Sequence, residues 1–206
     1  MTKRWFSVVA IVLLPISGSA HADSFGYVGG LVGFHHQPWG DLYREVPSQF
    51  RADVDETTSM YGIEGFYLAD VGDMAAGIGG IWNRHTYDFD ARSAGANQRF
   101  SLDQTYTGIS FLLGSLDESE AGRSATFIGY EFGNYSGDFD FPGLDNIGFG
   151  RVSTGSASTG AVVVGYYLAQ DSGWASGLSL RYVLSGKLYG ADMSPIMLHL
   201  GVGYTF

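Results

Sequence analysis

The sequence predicts an all-β chain folded as an eight-stranded antiparallel up-and-down transmembrane β-barrel. Three observations carry that reading. Segments of about ten residues with alternating apolar and polar positions recur along the chain, and about ten residues is what a tilted strand needs to cross a bilayer. Beyond the N-terminus, no run is long and apolar enough for a spanning helix, which takes about 20 residues. The composition, finally, sets 31 glycines, 13 tyrosines and 14 phenylalanines against 11 lysines and arginines. Glycine lets strands bend and pack closely, and aromatics belong at the two rims of a membrane barrel.

The first 22 residues read as a secretory signal and are set apart from the fold. Lys3 and Arg4 form a positive start, Trp5 to Ile16 a short apolar core, and Ala20-His21-Ala22 an A-x-A cleavage site before Asp23. The expected mature barrel domain, residues 23–206, is then a single domain. Loss of Lys3 and Arg4 takes the formal charge from −10 to −12, because the leader carries no acid. So acidic a chain is a poor match for nucleic acid, whose phosphates call for basic groups. The absence of cysteine excludes a disulfide framework and a lipid-modified N-terminal cysteine.

Eight strands are expected, at Phe25–His35, Ser59–Leu68, Met74–Tyr87, Phe100–Leu113, Ala125–Tyr135, Thr159–Ala169, Trp174–Leu188 and Ile196–Phe206. Short turns are expected at Asp70–Asp73, Gly114–Arg123 and Asp171–Gly173, and longer loops at His36–Thr58, Asp88–Arg99 and Ser136–Ser158. Short periplasmic turns alternating with longer outer loops are the outer-membrane pattern, and an even strand number returns both termini to the periplasm. In the seventh strand Trp174, Leu178, Leu180, Tyr182 and Leu184 share the lipid face. Ala175, Gly177, Ser179, Arg181, Ser185 and Lys187 share the lumen. In the eighth, Ile196, Leu198, Leu200, Val202, Tyr204 and Phe206 face lipid. The first and third strands alternate too loosely to assign. Because a bilayer offers no water to a free strand edge, the sheet must close. A soluble lipocalin-type barrel, the alternative fold, would carry polar residues where the last two strands are apolar.

The chain ends His199-Leu200-Gly201-Val202-Gly203-Tyr204-Thr205-Phe206. This end resembles the outer-membrane barrel superfamily, whose last strand carries a polar-x-Gly-x-x-aromatic-x-aromatic signal. His199, Gly201, Tyr204 and Phe206 fill its four places. The resemblance implies a bacterial outer-membrane location and recognition by the barrel assembly machinery. In strand count and loop rhythm the mature chain is similar to eight-stranded barrels of the OmpA and OmpX type, without pointing to a subfamily.

Within the expected strands, Glu64, Asp103, Glu131, Arg181, Lys187 and His199 are candidates for a polar network. Charged groups at membrane depth face the lumen and pair with one another. Arg181, with Lys187 nearer the outer rim, is expected to bind some of Glu64, Asp103 and Glu131 and so plug the barrel. The adjacent His35 and His36 look like a metal pair, but neighbouring strand residues point to opposite faces. Asp138-x-Asp140-x-x-Gly143, followed by Asp145 and Asn146, has a faint likeness to a calcium loop, but Phe149 stands where the last carboxylate belongs. A solvated acidic loop is the expected reading, as for Asp41, Glu45, Asp53, Asp55 and Glu56. No metal or cofactor is expected. The first long loop also carries Trp39, Leu42, Tyr43 and Phe50, apolar surface suited to a partner or to folding over the mouth.

Catalysis is not expected. Barrel lipid hydrolases pair a serine with a histidine in a local His-Ser-Asn type signature, whereas His85 is followed by Thr86-Tyr87 and His199 by Leu200-Gly201. A dispersed set such as His85 with Ser101 or Asp103 is the residual enzymatic candidate. The expected role is membrane-structural or surface-interacting, by way of the outer loops. The alternative is a narrow channel for small solutes or apolar compounds, supported by inward-leaning apolar residues such as Phe111 and Leu113. Expected partners are outer-membrane lipids, lipopolysaccharide, the assembly machinery and a surface ligand at the loops, with the barrel itself a monomer.

Overall fold

The structure, a computed structural model, describes residues 24–38, 52–93, 96–141, 150–185, 187–188, 191–192 and 194–206. The expected signal, with Ala20 and Ala22, lies outside them. So do Trp39, Asp41, Leu42, Tyr43, Glu45 and Phe50 of the first loop, and Gly143, Asp145, Asn146 and Phe149 of the acidic one.

The described residues form strands β1 (Ser24–His36), β2 (Ala52–Val54), β3 (Thr57–Asp70), β4 (Ala75–Ser93), β5 (Ala96–Ser119) and β6 (Gly122–Asp140). They continue with β7 (Arg151–Ala169), β8 (Trp174–Ser185), β9 (Lys187–Leu188), β10 (Ala191–Asp192) and β11 (Ile196–Thr205). Eight of these close into a ring, β1-β3-β4-β5-β6-β7-β8-β11, every pair antiparallel. The seam is β1 against β11, from Tyr27↔Thr205 to His36↔Ile196. Gly26 and Phe206 exchange two backbone hydrogen bonds below it, at 3.2 and 3.1 Å. Both ends of the ring therefore meet at the rim that holds the short turns. One of those turns is closed by Asp70, whose carboxylate accepts from the Gly72 N–H at 2.8 Å.

Facing follows the parity of each strand. Ile63, Ile78, Ile109, Ile128, Val164, Leu178, Leu200 and Val32, one from each ring strand, are exposed on the outer wall. Trp174 and Tyr204 sit near the short-turn rim of this belt, and Phe34, Tyr61, Trp82 and Tyr182 near the opposite rim. A continuous apolar belt with aromatic borders suits a bilayer and excludes a soluble barrel. The sides expected for the last two ring strands hold at every position whose side chain is described, which leaves out Ser185 and Lys187. The first and third become assignable: Phe25, Tyr27, Leu31 and His35 point inward from β1, and Ile81, Asn83, His85 and Tyr87 from β4. Those strands were ambiguous because their lumen side is as apolar and aromatic as their lipid side.

Two stretches expected as connections are strand instead. Asp88–Ser93 pairs with Ala96–Ser101, and Gly114–Ser119 with Gly122–Phe127. β7 likewise begins at Arg151 rather than Thr159, while the seventh expected strand breaks after Ser185. Outside the bilayer a ladder needs no apolar face, so polarity could not tell extended strand from loop. β5, at 24 residues, is far longer than the 9–11 that span a membrane. Among the described residues β4 to β7 thus rise as a tall wall.

The lumen is filled by two apolar clusters. The one nearer the short turns joins Phe25, Tyr27, Phe66, Leu68, Leu112, Phe127, Val163 and Tyr167. The outer one joins Leu31, Met60, Ile81, Tyr87, Phe89, Leu102, Tyr106, Tyr135, Val183 and Met197. An eight-stranded barrel has an interior just wide enough for its side chains to fill.

Candidate functional site

Between the two clusters lies a charged layer. Arg181 reaches inward from β8, Glu64 from β3 and Glu131 from β6, and none is more than 4% exposed. The Arg181 Nε donates to Glu131 Oε2 at 3.2 Å and Nη2 donates to Glu64 Oε2 at 3.2 Å, so one guanidinium ties two walls of the barrel to a third. Its Nη1 donates to Ser179 Oγ at 3.0 Å and to His199 Nδ1 at 2.8 Å. The planar fork of arginine allows this spread of donors, which a lysine could not reproduce. Tyr106 donates to Glu131 Oε1 at 2.7 Å, and Tyr167 donates to Glu64 Oε1. Each carboxylate therefore has a cation and a phenol, as buried charges require.

Two glycines make room for this layer. A Cβ at Gly108 would stand 2.7 Å from the Glu131 carboxyl carbon, and one at Gly201 would stand 2.8 Å from Tyr27 Oη and 3.0 Å from Glu64 Oε1. Gly201, expected from the sequence to serve an assembly signal, thus admits Glu64 and Tyr27 to the lumen.

Of the expected network, Glu64, Glu131, Arg181 and His199 come together. Asp103 does not. It points outward from β5, half-buried, and accepts from Arg84 Nη2 at 3.0 Å and from Thr86 Oγ1 at 2.6 Å. Strand parity explains this, since Gln104 and Tyr106 are the inward positions beside it. Lys187 lies in β9, beyond the break in the seventh strand, and its side chain is outside the described residues. Phe111 and Leu113 do not lean inward. At 58% and 52% exposure they belong to the lipid belt, and the support they lent a channel falls away. Sequence reasoning overlooked Tyr106, Tyr167 and the bonding role of Ser179. A clue was available for Ser179 alone, which shares the inward parity of Arg181.

Nearer the outer mouth is a second polar layer. His35 and His85 stack, ring centroids 3.9 Å apart and planes 16° from parallel. His35 Nδ1 is 2.6 Å from the Tyr87 hydroxyl and Nε2 is 2.9 Å from that of Tyr135, while His85 Nε2 meets Gln104 Oε1 at 2.9 Å. His36 points outward to Thr57, at 3.0 Å, as its parity demands. Stacked rings aim their in-plane lone pairs side by side, not at one point, and both His35 nitrogens are engaged. No group of three or more metal-binding side chains occurs among the described residues.

The residual catalytic set does not assemble. His85 bonds Gln104, whereas Ser101 and Asp103 occupy the outward parity of β5. Ser179, His199 and Glu64 do cluster, with Ser179 Oγ 3.4 Å from both His199 Nδ1 and Glu64 Oε2. Arg181 already occupies that histidine nitrogen, however, so it has no free lone pair to take a proton from the serine.

The chain matches no protein-family model and no curated protein. Among solved structures it is similar to the outer membrane protein OprG from Pseudomonas aeruginosa, with a TM-score of 0.54 and 13% identity over 89% of this chain and 95% of that one. The fold is that of the small outer-membrane β-barrels. Two others are Ail, the attachment invasion locus protein of Yersinia pestis, in complex with the heparin analogue sucrose octasulfate, and Neisserial surface protein A. They match at TM-scores of 0.47 and 0.45, with 15% and 11% identity, over 89% and 88% of this chain and 99% and 97% of theirs. In that fold the apolar belt is the face that meets lipid, and the short turns form one rim of the barrel.

Proposed function

We propose that this barrel is a non-enzymatic outer-membrane protein with a membrane-structural or surface-interaction role exercised through its outer loops. The observation that carries the reading is the filled lumen: an aromatic cluster, the Arg181 layer and a histidine–tyrosine layer follow one another across the bilayer. A barrel closed at three levels offers solutes no passage, which leaves its outer surface as the working part. The tall β4–β7 wall holds that surface away from the membrane, and the acidic loops suit a divalent-bridged contact with lipopolysaccharide. Assembly through the terminal signal, and life as a monomer, complete the proposal.

The test is a strain lacking the protein, complemented with the full chain or with a chain whose residues 39–51 are replaced by a short Gly-Ser linker. Barrier integrity (detergent sensitivity) and cell attachment are scored after both chains are shown to fold. Restoration by the full chain alone supports a loop-borne role, and equal restoration by both refutes it. The second reading is a narrow, gated channel. Its support is that the middle plug is an ion-paired side chain able to swing, and a current appearing in Arg181→Ala but not in the parent would favour it.

A further inference from the structure

Among the described residues six buried polar side-chain atoms find no protein partner, and four of them draw attention together. They are Asn83 Oδ1, His85 Nδ1, Gln104 Nε2 and His199 Nε2, and their residues are at most 1% exposed. They belong to one stretch of lumen. Asn83 and His85 are successive inward positions on β4, and Gln104 of β5 is the hydrogen-bond partner of His85. Met197 of β11, the inward position next to His199, reaches the side chain of Asn83 at 3.7 Å and the Tyr135 hydroxyl at 3.8 Å. The four atoms are also complementary. His199 Nδ1 accepts from Arg181, so its Nε2 carries the proton and is a donor, as is the Gln104 amide nitrogen. His85 donates through Nε2 to Gln104, so its Nδ1 is an acceptor, as is Asn83 Oδ1. Were the Gln104 amide turned over, one of its two polar atoms would still be left over.

We infer that this stretch of the lumen, bounded by Arg181, His199, Asn83, Gln104, His85 and Met197, is a binding site for a cluster of ordered water. Buried polar groups without protein partners are satisfied by water, and a buried water takes two to four such partners. A metal ion is the wrong occupant. Two of the four atoms are donors, and the third histidine, His35, has both nitrogens engaged with tyrosines. Apolar molecules are wrong too, because they would leave all four groups unpaired. The water lies on the outer side of the guanidinium and is cut off from the periplasm by Phe66, Phe127 and Tyr167. The lumen therefore encloses water above an aromatic floor, and this holds whether or not the loops do the work proposed above.

Two measurements on the mature chain refolded in micelles decide it. In NMR of the labelled parent, the Gln104 side-chain amide protons should show cross-peaks to long-lived water, and their absence would overturn the inference. In urea unfolding, Asn83→Leu should lower the midpoint, because it removes partners that the water uses. A dry lumen predicts the reverse, since the leucine would then relieve an unpaired buried group. A raised midpoint would overturn the inference as well.

Discussion

Replacing Arg181 with alanine should cost the barrel about 3–5 kcal/mol of stability, the cost of leaving a buried ion pair with one partner missing. Glu64 and Glu131 would each lose a charge-assisted bond of 3.2 Å, keeping the phenols of Tyr167 and Tyr106 and, for Glu64, the Ser179 hydroxyl at 3.4 Å. Some of the loss is recovered if water enters the space vacated, so about 3 kcal/mol is the better expectation where the lumen hydrates. The assay is equilibrium unfolding in urea from lipid vesicles, followed by tryptophan fluorescence and by the gel-mobility shift of folded barrels. A companion variant, Arg181→Met with Glu64→Gln and Glu131→Gln, removes all three charges together. It should fall within about 2 kcal/mol of the parent, because a buried ionic cluster exchanged for neutral groups of similar size costs little. A folded Arg181→Ala barrel within about 1 kcal/mol of the parent would refute the reasoning. So would a triple variant less stable than the single one.

Other substitutions separate the surfaces. Asp103→Asn removes the outward pair with Arg84, whose side chains are 29% and 43% exposed, and should cost less than about 1 kcal/mol in the same titration; a loss near that of Arg181→Ala would return Asp103 to the lumen network. Phe111→Arg puts a charge in the lipid belt and should cost about 2–4 kcal/mol near mid-membrane, and a neutral result would mean that the residue does not face lipid. Gly201→Val should destabilise by about 1–3 kcal/mol, because a side chain there would press on Tyr27 and Glu64. If it slowed assembly in cells while leaving the refolded barrel as stable as the parent, the glycine would serve the signal alone.

The architecture was legible because a bilayer makes unusual demands on sequence. Leu178, Leu180 and Tyr182 alternate with Ser179 and Arg181, and only a spanning strand in a closed sheet explains that pattern at 12 residues' length. The charged layer was half legible. Glu64, Glu131, Arg181 and His199 could be singled out as ionisable groups within strands, but Asp103 looked equivalent to them. It is separated only by parity, and parity in β5 is blurred because Phe111 and Leu113 lie outward while Leu102, Tyr106 and Leu112 lie inward. The tyrosines were overlooked for a related reason: in such a barrel an aromatic fits the lipid rim as well as the lumen, and only its partner distinguishes them. The His35–His85 stack joins strands far apart in the sequence, and no local pattern could have signalled it. The tall wall was misjudged because strands outside the membrane need no apolar side.

The most direct test of the central claim, a lumen plugged across its whole height, is single-channel recording of the refolded mature chain in a planar bilayer. The filled lumen predicts a silent bilayer from protein shown to be folded by its gel shift. Steady, discrete openings from the parent chain would contradict it and would make the channel the primary reading.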